Sequence, residues 1–191
     1  MKKQNELFPI FLKANKLNIL IVGGGNVAYE KLHFLLKSSP KAKVKLVASI
    51  YNQNILTLAE KYTNIKIYRK TFTNSDLKDI DIAILATNDI AVNQVISYQA
   101  KKQGILVNVA DTPKQSDFYM GSIVTKGDLK IAISTNGQSP TFAKRFRQLL
   151  ESALPEDIDD LLNNLNVIRN SLKGDFSLKV KKLNTLTESL I

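Results

Sequence analysis

The sequence predicts an α/β protein: an open parallel sheet with helices on both faces, then a smaller hairpin-and-helix unit. Three observations predict it. Short apolar runs alternate with stretches of helical spacing from Leu17 to Asn108, the order that builds a parallel sheet. The runs 17–22 and 82–86 are almost continuously apolar, as strands buried on both faces are. After Asp111 the alternation stops, and two β-type runs flank Lys126-Gly127-Asp128, a hairpin signal with glycine in the turn.

Each element follows in order. Leu17-Asn18-Ile19-Leu20-Ile21-Val22 is a strand that ends in Gly23-Gly24-Gly25. Val27, Ala28, Lys31, Leu32, Leu35 and Leu36 then recur at helical spacing, so a helix runs from Asn26 to Lys37. Ser38-Ser39-Pro40 ends it. Strands are expected at 44–48, 65–68, 82–86 and 105–108, with helices at 55–62 and 89–102 between them. The hairpin strands are 122–125 and 129–134. Ser139-Pro140 is a helix start, an N-cap followed by proline at the first position, and that helix reaches about Ala153. Pro155-Glu156-Asp157 opens another, with Ile158, Leu161, Leu162, Leu165 and Ile168 as its apolar stripe. Gly174 breaks it, and 178–190 forms the last helix. The expected division is 1–111, 112–153 and a helical C-terminal region 154–191.

Composition excludes several classes. At 191 residues, 44% hydrophobic and 23% charged, the chain is neither disordered, collagenous nor a coiled-coil rod. It has no cysteine, which removes disulfide scaffolds, thiol nucleophiles, iron–sulfur clusters and cysteine zinc sites. No run approaches the ~20 apolar residues of a membrane span, and no secretory leader pattern opens the chain. The expectation is a cytoplasmic protein with no membrane partner.

The net charge of +10 is uneven: residues 1–80 hold 14 basic and 5 acidic side chains. Such a surplus suits nucleic acid, an acidic membrane surface or a polyanionic small molecule. The lysines are scattered and no nucleic-acid module is visible, so no nucleic-acid partner is expected, and plain surface solvation accounts for the lysines equally well.

Five loops can carry chemistry. Gly23-Gly24-Gly25-Asn26-Val27-Ala28 fits G-x-G-x-x-A, placed after a strand and opening a helix, the Rossmann context for a pyrophosphate on a helix N-terminus. A glycine turn without a ligand is the plainer alternative. The carboxylate that such folds place ~20 residues on is missing. Ala48 and Ser49 stand there instead; Ser49 can hydrogen-bond a ribose hydroxyl, Lys43 and Lys45 can tolerate a 2′-phosphate, and these residues leave NAD versus NADP open. Thr87 and Asn88 follow the fourth strand, as cofactor ligands or simply helix caps. Asn108-Val109-Ala110-Asp111-Thr112-Pro113-Lys114 follows the fifth, where Asp111 can exchange a proton or only shape a turn. Ser134-Thr135-Asn136-Gly137-Gln138-Ser139-Pro140 precedes a helix bearing Lys144, Arg145 and Arg147; it can bind carboxylates or be a capped loop. The single histidine, His33, shares an outer helix face with Glu30 and Lys37, and no cluster has metal-ligand spacing.

Taken together, Leu7-Phe8-Pro9-Ile10-Phe11-Leu12, the glycine turn, Ala86-Thr87-Asn88-Asp89 with Asn93, the N-V-x-D-x-P stretch and the S-x-x-G-x-S-P loop resemble the sirohaem synthase N-terminal module. This is the precorrin-2 dehydrogenase family, some of whose members are also sirohydrochlorin ferrochelatases. The resemblance runs from about residue 7 to about 153, and the absence of a following methyltransferase domain suggests the stand-alone form. It implies NAD-dependent oxidation of precorrin-2 to sirohydrochlorin, with iron insertion as a possible second activity. It implies a homodimer formed through the hairpin unit. It implies Asp111 as general base, with Ser134 and Thr135 near an eight-carboxylate substrate. With the loop readings above, the expected cofactor set is Gly23, Gly24, Gly25, Asn26, Val27, Ala48, Ser49, Thr87 and Asn88, and Asn108, Lys114, Asn136 and Arg145 complete the expected substrate set. No resident metal is implied. The competing readings are a non-catalytic NAD(H)-sensing module, which does not need Asp111, and a nucleic-acid binder, which predicts steep salt dependence.

Overall fold

The computed structural model describes residues 5–188. Five strands form one parallel sheet: β1 (Asn18–Val22), β2 (Lys43–Ala48), β3 (Ile65–Arg69), β4 (Ile82–Leu85) and β5 (Leu106–Val109). Their spatial order is β3-β2-β1-β4-β5. The order reverses at β1, so the glycine turn lies at the switch point where such sheets open a crevice. Helices α1 (Asn26–Ser38), α2 (Gln53–Glu60) and α3 (Ile90–Lys102) connect the strands. The hairpin is β6 (Ser122–Lys126) with β7 (Leu129–Ile133), antiparallel. Helices α4 (Pro140–Ala153), α5 (Ile158–Ser171) and α6 (Phe176–Thr187) follow. Each expected element is present, with ends moved by one to three residues. The last residues of the helix expected at 178–190 lie outside the described residues.

Alternation along β1 builds the core. Ile19 and Ile21 point to one face, packing with Ala28, Leu32 and Leu36 of α1. Leu20 and Val22 point to the other, packing with Ile96 and Ala100 of α3. Each fully buried Leu or Ile contributes roughly 1.5–3 kcal/mol of transfer free energy, and the sheet collects it on both sides.

The division of the chain differs from the expected one. The first unit runs through Met120 and includes Asn136–Gln138. The second takes Gly121–Thr135 and the helices from Ser139 onward, so the helical tail groups with the hairpin. Residues 112–120 stay with the sheet because they cover its β5 edge. Asp117 N donates to Val107 O at 2.7 Å, and Val107 N donates to Asp117 Oδ2 at 3.0 Å. Val109 N donates to Ser116 Oγ, and Asn108 Nδ2 donates to Phe118 O. An exposed strand edge is a pairing hazard, and side chains here supply the missing partners.

In the second unit Val124 and Ala143 are buried. Asp159 Oδ1 accepts from Asp128 N at 2.8 Å across the Gly127 turn, and Lys126 Nζ reaches Leu154 O at 2.6 Å.

Candidate functional site

The strand registers place the loop residues in rows. Tyr68, Val47, Val22, Leu85 and Val109 form the last fully paired row. One residue on come Arg69, Ala48, Gly23, Ala86 and Ala110, joined by Gly23 N to Val47 O, Ala86 N to Val22 O and Ala110 N to Leu85 O. Beyond it Lys70 N donates to Ala48 O, while the chain after β5 already turns, with Thr112 N donating to Val109 O. Small residues thus rim the carboxyl edge at β1, β2, β4 and β5, and Arg69 stands at β3.

A cleft of about 700 Å³ opens over part of this edge. Seven of the nine residues expected around a cofactor line it: Gly23, Gly24, Gly25, Ala48, Ser49, Thr87 and Asn88. The other two do not. Asn26 accepts from Asn52 Nδ2 at 2.6 Å, and Val27 is half-buried against the core.

The three glycines do different jobs. Gly23 has φ +129°, and a Cβ there would lie 2.3 Å from Ala86 O. At Gly24 a Cβ would lie 1.9 Å from Ile50 O. Both are required by the fold's own packing. At Gly25 a Cβ would meet nothing within 4 Å. Gly25 is also the N-cap of α1, with no side-chain hydrogen bond to that helix end, whereas Asn52, Asp89 and Ser139 cap α2, α3 and α4. The first turn of α1 therefore offers free N–H groups beside an open approach, which fits the pyrophosphate of a dinucleotide. No carboxylate lines the cleft among the described residues, so nothing there repels that anion.

Thr87 is fixed by a buried amide: its hydroxyl donates to Asn93 Oδ1 at 2.7 Å, and Asn93 Nδ2 donates back to Thr87 O at 3.0 Å. Asp89, not Thr87, caps α3 by accepting from Val92 N.

Asp111 and Asn108 do not line the cleft. Asp111 is exposed and adopts φ +56°, a conformation that Asp tolerates better than most residues. Asn108 is buried in β5, and its Nδ2 donates to Phe118 O, so it braces the edge. Lys114 is exposed in the short 3₁₀ turn Pro113–Gln115.

In the second unit, Thr135 Oγ1 accepts from Ser139 N at 3.0 Å, and Ser139 Oγ accepts from Phe142 N. Arg145 is exposed and donates to Gln148 Oε1, while Arg147 pairs with Glu151. Ser134 precedes this loop; Asn136, which groups with the first unit, has φ +53°.

Two lysines are placed differently from the expectation. Lys43 begins β2, at the opposite edge of the sheet from the cleft. Lys45 Nζ lies 2.8 Å from Asp76 Oδ1. Lys70, which the sequence reading missed, lines the cleft and lies 2.6 Å from Asp76 Oδ2. Burial alone would raise the Asp76 pKa; hydrogen bonds from Lys45, Lys70 and Thr73 outweigh it and hold the carboxyl well below the usual range. Thr73 and Asp76 also form a capping box, so 70–77 is a tied corner. Tyr51 shows the reverse balance. Its burial pushes the phenol up to about 12, against smaller opposing effects from its backbone hydrogen bonds and Arg69.

The missed lining residues come from the strand-end rule applied to β3 (Lys70, Thr71, Phe72) and from the α3 stripe Val92, Val95 and Gln99. The first signal was available in the T-x-x-D spacing of Thr73 and Asp76. His33 is exposed beside Tyr29 and Phe34. Among the described residues no His, Cys, Asp and Glu group could hold a metal ion, and no helix is long and apolar enough to cross a membrane.

Residues 10–122 match the family described as putative NAD(P)-binding, and residues 126–153 match the one described as sirohaem biosynthesis protein central. The sirohaem synthase of Nitrosomonas eutropha is 34% identical over 172 residues, covering 90% of this chain and 36% of that protein. The one from Ruthia magnifica subsp. Calyptogena magnifica is 35% identical over 169 residues, covering 88% of this chain and 35% of that protein. The chain thus spans about a third of the length of these curated relatives. A solved structure titled SirC, precorrin-2 dehydrogenase, superposes with a TM-score of 0.76 at 26% identity, covering 94% of this chain and 89% of that one.

Proposed function

The chain belongs to the putative NAD(P)-binding family, and on that premise we propose that it oxidises precorrin-2 to sirohydrochlorin with NAD as hydride acceptor. The observation that carries the proposal is the cleft over the sheet's carboxyl edge. Seven of the nine residues expected around a dinucleotide line it, beside the open N-terminus of α1, whose cap is a glycine. The likeness to a precorrin-2 dehydrogenase over most of both chains supports the substrate.

Gly25 and the first turn of α1 would hold the pyrophosphate, and Ser49, Thr87 and Asn88 would orient the rest of the dinucleotide. The bound nicotinamide supplies the hydride-accepting chemistry. Oxidation of precorrin-2 releases a hydride and a proton, and Asp111 accepts the proton. Exposed Lys114 meets a substrate carboxylate through a charge-assisted hydrogen bond. The functional form is a homodimer formed through the second unit. Its two-stranded hairpin is short of partners, and α4 exposes Phe142, Phe146 and Leu149 on one stripe, with the two phenyl rings stacked at 5.8 Å.

The test is anaerobic. Protein, precorrin-2 and NAD are mixed, and reduced nicotinamide absorbance is followed together with the sirohydrochlorin spectrum. Both signals rise with wild type. Asp111→Ala lowers turnover by about 10²-fold or more, the scale of a lost general base, while NAD binding persists. A sensing module would bind NAD and be indifferent to Asp111→Ala.

A further inference from the structure

Among the described lining residues the cleft has one charged side chain, Lys70. A sheet of this type that is selective for NAD places Asp or Glu at the end of the second strand, where it accepts from the adenosine ribose 2′-hydroxyl. That carboxylate also repels a 2′-phosphate. Here β2 ends in Ala48 and is followed by Ser49 and Ile50. The corner beside them is hydroxyl-rich and cationic: Lys70 stands level with Ser49, and Ser49 Oγ lies 3.5 Å from Thr71 Oγ1.

The charge balance of the corner is positive. Asp76 is buried, and it divides its two oxygens between Lys45 at 2.8 Å and Lys70 at 2.6 Å. Two ammonium groups share one carboxylate, which leaves one positive charge in excess. Lys70 Nζ also lies 3.3 Å from Thr73 Oγ1. An ammonium has three donors, so its bonds to Asp76 and Thr73 leave a third on a side chain that lines the cleft. Asp76 thus aims Lys70 without cancelling the local charge.

We infer that this corner receives the 2′-phosphate of a phosphorylated nicotinamide dinucleotide: the protein accepts NADP alongside NAD, and Lys70, positioned by Asp76, is the specificity-determining residue. The inference rests on the proposed function only in requiring that the cleft hold a nicotinamide dinucleotide.

Titration calorimetry of the full chain with NAD and with NADP, at one fixed salt concentration, tests it. Wild type binds NADP within about 10-fold of NAD. Lys70→Met lowers the NADP-to-NAD affinity ratio by about 10-fold, the loss of one charge-assisted hydrogen bond. Lys70→Arg keeps the ion pair and the ratio, and serves if the Met variant folds poorly. Ser49→Asp restores a carboxylate at the strand end and lowers the ratio by about 30-fold or more. NADP binding more than about 100-fold weaker than NAD overturns the inference, as does an equal loss for both cofactors in Lys70→Met, and either result leaves the dehydrogenase reading standing. Binding of neither cofactor overturns both.

Discussion

The two ends of the cleft are held by different physics. At the glycine turn, backbone geometry decides. Gly23 takes φ +129° against Ala86 O, Gly24 packs on Ile50 O, and no charged side chain takes part. At the corner after β3, charge decides. Asp76 draws Lys45 and Lys70 together and caps its own turn through Thr73. A steric requirement tolerates one residue type and fails abruptly. An ionic one tolerates exchange and weakens by degrees, because water and salt compensate part of each lost contact. The two ends should therefore answer mutation differently.

The largest effect is expected at Gly23→Ala. A Cβ would sit 2.3 Å from a backbone carbonyl, in a φ region that L-residues rarely adopt. Strain and displacement of β4 together cost at least ~3 kcal/mol. Thermal denaturation should show a Tm lowered by many degrees or no cooperative transition. An alanine variant with wild-type Tm would mean that the turn can be rebuilt, and the contrast between the two ends would fail.

Gly25→Ala sharpens the same contrast within three residues. Its Cβ meets no protein atom within 4 Å, so stability should stay within ~0.5 kcal/mol of wild type. The methyl group instead occupies the approach to the α1 N-terminus. NAD affinity should fall by about 10- to 100-fold, or ~1.4–2.7 kcal/mol, read by calorimetry beside an unchanged Tm. A loss of stability at Gly25 would show that its role is structural, like that of Gly23.

This contrast also explains what the sequence could reveal. The sheet was legible because two-sided burial leaves continuous apolar runs such as Ile19-Leu20-Ile21-Val22. The glycine turn was legible because its steric demands fix residue type at adjacent positions. Lys70 was not, since its meaning depends on Asp76, and Asp76 in turn on Lys45, which is 31 positions away in sequence and joined only by the pairing of β2 with β3. The same reason misled the reading of Lys43 and Lys45: strand membership was right, but the end of the strand that each occupies sets its neighbours. The bracing role of Asn108 was hidden for a related reason. Its amide braces residues 112–120, a segment with no periodic pattern that announces a covered strand edge.

The smallest effect is expected at Asp76→Asn, and its pH dependence identifies the cause. Asparagine keeps the shape and much of the hydrogen bonding but leaves Lys45 and Lys70 without their counter-charge. Both lysines are partly exposed, with side-chain accessibilities of 24% and 40%, so water recovers part of the loss and about 1–2 kcal/mol remains at neutral pH. The folded-state pKa of Asp76 is depressed below its ordinary 3.8. Its contribution is therefore fully present above that ordinary value and is lost as pH falls from there through the depressed folded-state value. Urea titrations from pH 7 to pH 2 should show wild type and variant separated by a constant gap down to about pH 4, then converging. A gap that persists undiminished at pH 2 would assign the loss to packing or hydrogen-bond geometry, and the corner would then resemble the glycine turn in kind.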